Sequence, residues 1–160
     1  MNASILRLLG AIAIIALTLP TSADASAPAG RYVVTSGGAD AGTGNGTVYD
    51  TKTKLTWQQT APMYSWANAK TYCASAAVSA SLGGTGWRLP TIKELQTIVD
   101  YSQYSPAIDS TAFPSTPPIW FWSSSLCAGQ SSCVWIINFG DGHTVTETAL
   151  TNGAYVRCVR

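Results

Sequence analysis

The sequence predicts an α+β domain in which two helices accompany a set of short antiparallel strands, closed by two disulfides. Three observations carry this expectation. Two stretches in the first half place apolar residues at helical spacing, and the second half is a series of β-branched and aromatic runs broken by turns rich in Gly, Asp and Pro. Four cysteines follow an export-type leader.

Arg7 precedes an apolar run from Leu8 to Leu19 that ends at Pro20, the charged, apolar and breaking order of a secretory signal peptide. The run is too short to span a bilayer. Of two small-x-small sites, Ala23-Asp24-Ala25 fits the cleavage pattern better than Thr21-Ser22-Ala23. Residues 1–25 are therefore read as the signal peptide, with a mature start near Ser26. A retained signal anchor is the alternative. The reading predicts a secreted, periplasmic or cell-surface protein with no stable membrane insertion after cleavage. About 135 residues then remain, enough for one domain with a core of its own. Residues 26–45 form a flexible N-terminal segment with a short strand, and 46–160 the domain. The formal net charge of +1 is unchanged when Arg7 and Asp24 leave with the leader, which argues against nucleic acid as a partner.

Arg31-Tyr-Val-Val-Thr35 reads as the short strand, followed by a Gly-rich loop over residues 37–46. Thr47-Val-Tyr49 and Leu55-Thr-Trp57 bracket the polar turn Asp50-Thr-Lys-Thr-Lys54 and read as a hairpin. Ser65 caps a first helix whose stripe is Trp66, Ala69, Cys73 and Ala76 or Ala77. A second helix opens on the capping box Thr91 and Glu94, lines Ile92, Leu95, Ile98 and Val99 on one face, and ends near Asp100. The run from Tyr101 to Ile119 holds four prolines and no steady period, so it reads as an irregular loop of functional length. Strand-like runs follow at 120–125, 134–139, 144–147 and 154–160, with Gly140-Asp-Gly142 a strong hairpin turn. The terminal strands are expected to pair with each other.

Three cysteine pairings are possible in principle. Cys127 and Cys133 flank the turn-like Ala-Gly-Gln-Ser-Ser and can face each other across a hairpin mouth, which leaves Cys73 with Cys158. Zinc is the rival use of these thiols, but no Cys-x-x-Cys pair exists and His143 is the one histidine, so no metal and no cofactor is expected.

In order and spacing, Leu55-Thr-Trp57-Gln58, Tyr72-Cys73, Trp87-Arg-Leu-Pro-Thr-Ile-Lys-Glu-Leu95, Ile108-Asp109, Phe113-Pro114, Trp122-Ser-Ser-Ser125, Asn138-Phe139 and Tyr155-Val-Arg-Cys-Val-Arg160 resemble the DUF1566 family. That family is also described as the C-terminal domain of the Legionella collagen-like adhesin, and the resemblance spans about residues 46–160. It implies a C-type-lectin-like fold related to formylglycine-generating enzymes, with two helices flanking a twisted antiparallel sheet and a long irregular loop region as ligand surface. It also implies the Cys73–Cys158 and Cys127–Cys133 pairs. The adhesin binds sulfated glycosaminoglycans and trimerises through its collagen-like stalk. This chain has no Gly-x-y repeat, so that route to a trimer does not carry over.

The calcium-binding triplets of C-type lectins are missing, and Asn138-Phe-Gly-Asp141 offers too few carboxylates to replace them. For nucleophilic catalysis His143 is the sole histidine base, and the formylglycine-type chemistry needs a reactive cysteine pair that disulfides would consume. No catalytic residue is therefore expected. Ser123, Ser124 and Ser125 read as hydroxyls that satisfy backbone groups, Arg88 and Glu94 as a structural ion pair, and Trp57, Trp66, Trp87, Trp122 and Trp135 as core. Tyr101, Tyr104, Trp120 and Phe121 differ, because they lie in or beside the long loop, where rings can stack on sugars or fill a partner's pocket. Arg88 and Lys93 would add a weak basic rim for an anionic glycan.

The leading expectation is a secreted, non-catalytic binding domain for an extracellular glycan, sulfated ones included, or for an extracellular protein. Binding should depend on residues 101–121 rather than on the Gly140-Asp-Gly142 turn. A structural or protein-interaction module without a small ligand is the second reading, and an enzyme the third.

Overall fold

The computed structural model describes residues 27–35 and 46–160; the stretch read as a signal peptide with its cleavage site, and most of the Gly-rich loop, lie outside the described residues. Among the described residues no helix is long and apolar enough to cross a membrane.

Strands β1 (Tyr32–Thr35), β2 (Thr47–Asp50) and β3 (Thr56–Gln58) form a three-stranded antiparallel sheet in that order. The predicted hairpin is β2–β3. Asp50 closes it by accepting from the backbone N–H groups of Lys52 (2.9 Å) and Thr53 (3.4 Å), while Lys54 takes a positive φ of 65°. The second sheet has the order β4-β8-β5-β6-β7, from β4 (Met63–Tyr64), β8 (Ala154–Tyr155), β5 (Trp120–Cys127), β6 (Gln130–Asn138) and β7 (Thr144–Glu147). The β6–β7 hairpin turns at Gly140-Asp-Gly142 as expected.

Four expectations need correction. The first helix is two, α1 (Trp66–Cys73) and α2 (Ala76–Leu82). Ser75 is extended between them, and its hydroxyl accepts from Val78 N–H, so it starts a new helix instead of continuing the old one. Val78 is consequently the buried residue, and Ala76 and Ala77 are exposed. The other helix, α3 (Ile92–Thr97), has the predicted capping box but stops three residues before Asp100. Among the described residues there are therefore three short helices. The terminal strands do not pair: β1 joins β2, whereas β8 lies antiparallel to β4 and parallel to β5. Gln130, Ser131 and Ser132 belong to β6, so the turn between Cys127 and Cys133 is tighter than the spacing suggested.

Successive residues of β5 enter different apolar clusters, as strand alternation requires. Phe121 packs with Val48, Trp57, Leu95, Ile98, Phe113, Ile137 and Phe139. Trp122 packs with Ala69, Cys73, Val78, Trp87, Val134, Ile136 and Val156. Of the tryptophans assigned to the core, Trp57, Trp87 and Trp122 are buried, while Trp66 and Trp135 are half-buried. The serines behave as expected: Ser123 Oγ donates to Trp135 O, Ser124 Oγ donates to Pro90 O, and Ser125 Oγ accepts from Ile92 N–H. Cys73 joins Cys158, and Cys127 joins Cys133.

Candidate functional site

Six of the nineteen residues of the irregular run are buried. Ala107, Ile108, Asp109, Ala112, Phe113 and Thr116 are buried, and Asp109 Oδ1 organises a turn by accepting from Thr111 and Ala112 N–H, each at 2.9 Å. What stands out from the surface is the loop 100–107. Its mouth is closed by Asp100 N–H donating to Ala107 O (3.0 Å), and its far side is fastened to the β6–β7 hairpin by Ser105 N–H to Gly140 O (2.8 Å) and Ala107 N–H to Phe139 O (2.6 Å). On this tethered loop Tyr101 is 74% exposed and Tyr104 80%. The Tyr101 ring rests on Gly142, where a Cβ would lie 2.9 Å from its Cε1.

The third aromatic is set by sheet register. Trp120 pairs with Asn138 across β5–β6, and Asn138 N–H donates to His143 O at 2.9 Å across the hairpin end. This brings the Trp120 and His143 rings edge to face, 4.9 Å apart at 85°. Trp120 is half-buried there. Asp141 Oδ1 accepts from His143 N–H (3.1 Å) and from Nδ1–H of its ring (2.5 Å). Those two bonds hold the Asp141 carboxyl below its ordinary range. A cleft of about 150 Å³, lined in part by Arg31, Tyr32, Asp100, Tyr101 and Asp109, opens beside the loop.

Tyr101 and Trp120 thus each meet the β6–β7 turn, at Gly142 and at His143, and the loop that carries Tyr104 is tied to its Gly140, so the loop and that turn are one structure rather than alternatives; Trp120 also packs against the Trp122 cluster. Phe121 is a correction: it is 0% exposed, between Phe139 (4.8 Å between ring centroids) and Tyr155 (5.6 Å), because on a strand it points opposite to Trp120. Arg88 and Lys93 lie at the start of α3, the end away from Tyr101. Arg88 precedes α3, Lys93 is exposed in its first turn, and Tyr101 follows its end, so a helix of roughly 9 Å at 1.5 Å per residue separates them. Arg88 is occupied besides, forking onto Glu94 at 2.8 and 2.6 Å. That pairing, with the Thr91 backbone and hydroxyl, lowers the Glu94 pKa to about 2.

Among the described residues no group of three or more His, Cys, Asp or Glu is placed to hold a metal ion. Asn138 Oδ1 is already taken by Gly140 N–H at 2.6 Å. The Asp141–His143 pair was not anticipated as part of the site. Its signal was available in the Gly-Asp-Gly turn, since a tight hairpin there sets Asn138 opposite His143 and so places the ring beside the neighbour of Asn138 on β5.

The family model of the Lcl C-terminal domain matches residues 46–160. No curated protein matches the chain.

Proposed function

This chain belongs to the Lcl C-terminal domain family, and from that premise we propose that it is an exported, non-catalytic binding domain acting in adhesion or recognition. Its partner is an extracellular glycan or protein, held on the Tyr101, Tyr104 and Trp120 face. The observation that carries this reading is the pair of exposed tyrosines on a loop tied at both ends. Large rings exposed to water on a rigid support contribute contact area with little ordering cost on binding. Export is supported by the leader read from residues 1–25 and by two disulfides, which persist in oxidising compartments. A C-type-lectin-like fold is supported by the two disulfide positions and by the long irregular run between α3 and β5.

The test uses the purified exported protein on arrays of extracellular glycans and extracellular-matrix proteins. The double change Tyr101→Ala and Tyr104→Ala should remove the wild-type signal without altering the melting curve. Silence of the wild type on both arrays, or a signal indifferent to the tyrosines, would overturn the reading and leave the module without a ligand as the better one.

A further inference from the structure

Another cavity, of about 430 Å³, is lined among the described residues by Thr60, Ala61, Pro62, Tyr72, Pro114 and Ser115, none of which belongs to the loop 100–107 or to the β6–β7 turn. Its walls are tied down. Val156 N–H donates to Pro62 O (2.8 Å), and Thr116 Oγ1 donates to Phe113 O (2.8 Å), closing the turn that carries Pro114 and Ser115. Tyr72 is placed by its neighbour Cys73, which the disulfide holds to Cys158, and Gln58 N–H donates to Cys158 O at 2.9 Å.

Gln58 orients the polar groups of this cavity. It is 3% exposed, and its Oε1 accepts from Cys158 N–H at 3.3 Å. A backbone N–H only donates, so the atom facing Cys158 is the amide oxygen and the amide nitrogen points the other way. Nε2 gives its two N–H groups to Thr60 Oγ1 (3.1 Å) and Tyr72 Oη (2.8 Å). An amide nitrogen accepts nothing, so each hydroxyl keeps its own proton, and no acceptor among the described residues takes either one. The cavity therefore presents two O–H donors beside the apolar surfaces of Ala61, Pro62 and Pro114, and no charged residue lines it. Arg157, which binds Gln59 O and Thr116 Oγ1 next to Thr60 and Ser115, is 1% exposed and takes no part in the lining.

We propose that this cavity takes the acetamido group of an N-acetylated amino sugar, its carbonyl oxygen accepting from Thr60 and Tyr72 and its methyl group lying against Ala61, Pro62 and Pro114. A carbonyl oxygen has two lone pairs and no proton, the complement of two donors held by one amide. Ser115 supplies a hydroxyl for the acetamide N–H. A plain sugar hydroxyl brings a donor of its own and no methyl group to cover the prolines. A carboxylate or sulfate would enter with no cation in the lining to pair with, and its desolvation would go uncompensated. The site adds to the Tyr101 face and does not depend on it. Sulfate groups elsewhere on the same glycan leave it unaffected, because it reads the acetamide and not the charge.

Titration calorimetry and saturation-transfer NMR on the exported protein compare β-1,4-linked trimers of N-acetylglucosamine, glucosamine and glucose. The N-acetylated trimer should bind about tenfold more tightly than the other two, with saturation strongest on its methyl protons. Thr60→Val and Tyr72→Phe each remove one donor and keep the shape, and each should weaken that trimer on the order of tenfold. Both changes also leave a Gln58 N–H without its acceptor, so the amide spectrum of the wild type supplies a reading free of substitutions. The N-acetylated trimer should shift Thr60, Ala61 and Ser115 and leave Tyr101 and Tyr104 in place. Equal affinity for the three trimers would overturn the assignment, and so would binding that survives both Thr60→Val and Tyr72→Phe. Shifts confined to residues 100–107 and abolished by Tyr101→Ala and Tyr104→Ala would overturn it while leaving the loop face as the ligand surface. Tighter binding of an uncharged N-acetylated peptide than of the trimer would give the cavity to peptide carbonyls and remove the sugar.

Discussion

The guanidinium of Arg157 lies 4.6 Å from the ring centroid of Phe113, fully buried and without a carboxylate partner among the described residues. Phe121 lies 5.6 Å away, Thr116 Oγ1 and Gln59 O accept from Nη2 at 2.8 and 3.3 Å, and Nε and Nη1 have no partner. Burial lowers its pKa to about 9. A buried charge compensated this thinly is dearer than an apolar side chain filling the same space. Arg157→Met is therefore expected to be neutral or stabilising by about 1–2 kcal/mol, whereas Arg157→Ala, which leaves a void, should cost about 3 kcal/mol. Thermal unfolding of the two variants checks this. A Met variant as damaged as the Ala variant would mean that the charge itself holds Thr116 and Gln59 in place.

The two disulfides should contribute unequally. Cys73 and Cys158 are 85 residues apart and both 0% exposed, and their bridge ties α1 to the C-terminal tail. On the loop-entropy account, removing this long closure costs about 4–5 kcal/mol, and removing the six-residue Cys127–Cys133 closure about 2 kcal/mol. Paired Cys→Ala variants compared by denaturant unfolding give the two numbers. Mild reductant should open Cys127–Cys133 first, since Cys127 is partly exposed, and alkylation followed by peptide mapping shows the order.

Acid should weaken the fold through Glu94 and Asp50. The Arg88 fork and the Thr91 contacts put Glu94 at about 2 in the folded chain, against an ordinary 4.5. Burial alone would raise Asp50, but Arg31 and the Lys52 and Thr53 donors outweigh it and hold it below its usual value. Both groups have a lower pKa folded than unfolded, so their contribution is complete above about pH 4.5 and is lost as pH falls toward 2. Because the Glu94 pair is solvent-accessible, its share is about 1 kcal/mol. Melting temperatures taken from pH 5 to pH 2 should fall less steeply for Glu94→Gln than for wild type, and parallel curves would assign the acid sensitivity elsewhere.

Features set by neighbours in sequence were legible before the structure was known. The Asp50 turn, the Thr91–Glu94 capping box and the Gly140-Asp-Gly142 hairpin each follow from side chains that bond to backbone within three residues. What was misread depends on distant pairing. Ala154 to Arg160 reads as one strand, yet it divides its partners: Tyr155 pairs with Met63 and Phe121, while Val159 bridges to Trp57 and Arg88 in the other half of the molecule. Phe121 reads as a surface ring beside the long loop even though the strand-like run 120–125 contains it, because the start of a strand does not by itself tell which of two adjacent rings its pairing turns inward. Arg157 carried no signal of its buried place, since its neighbours there come from residues 59, 113, 116 and 121.

Gly142 offers a way to disturb the face without touching a ligand-contacting group. It has φ +85°, and a Cβ would stand 2.5 Å from Val99 Cγ1 and 2.9 Å from Tyr101 Cε1. Gly142→Ala should cost about 1–2 kcal/mol in backbone strain and crowding, and it should displace the Tyr101 ring. Tyrosine fluorescence anisotropy and ligand affinity should change together. An unchanged affinity would show that the ring's position on Gly142 does not matter to binding.

The last prediction separates the surface aromatics from their buried neighbour. Trp120 and Phe121 are adjacent, but Phe121 is enclosed by Phe139, Tyr155 and the cation of Arg157, while Tyr101 and Tyr104 meet water over most of their surface. Truncating a buried phenylalanine removes its transfer energy and leaves a cavity, so Phe121→Ala should cost about 3–5 kcal/mol. It should also strand the Arg157 guanidinium with one aromatic face instead of two. Tyr101→Ala and Tyr104→Ala have no packing of that kind to lose and should each stay within about 0.5 kcal/mol of wild type. Combining Phe121→Ala with Arg157→Met should recover part of the loss, because the unpaired charge is removed from the space the ring vacated. Chemical denaturation of the four variants reads every term, and a tyrosine change as costly as Phe121→Ala would mean that the loop 100–107 is held by its rings, not by its backbone ties to Phe139 and Gly140.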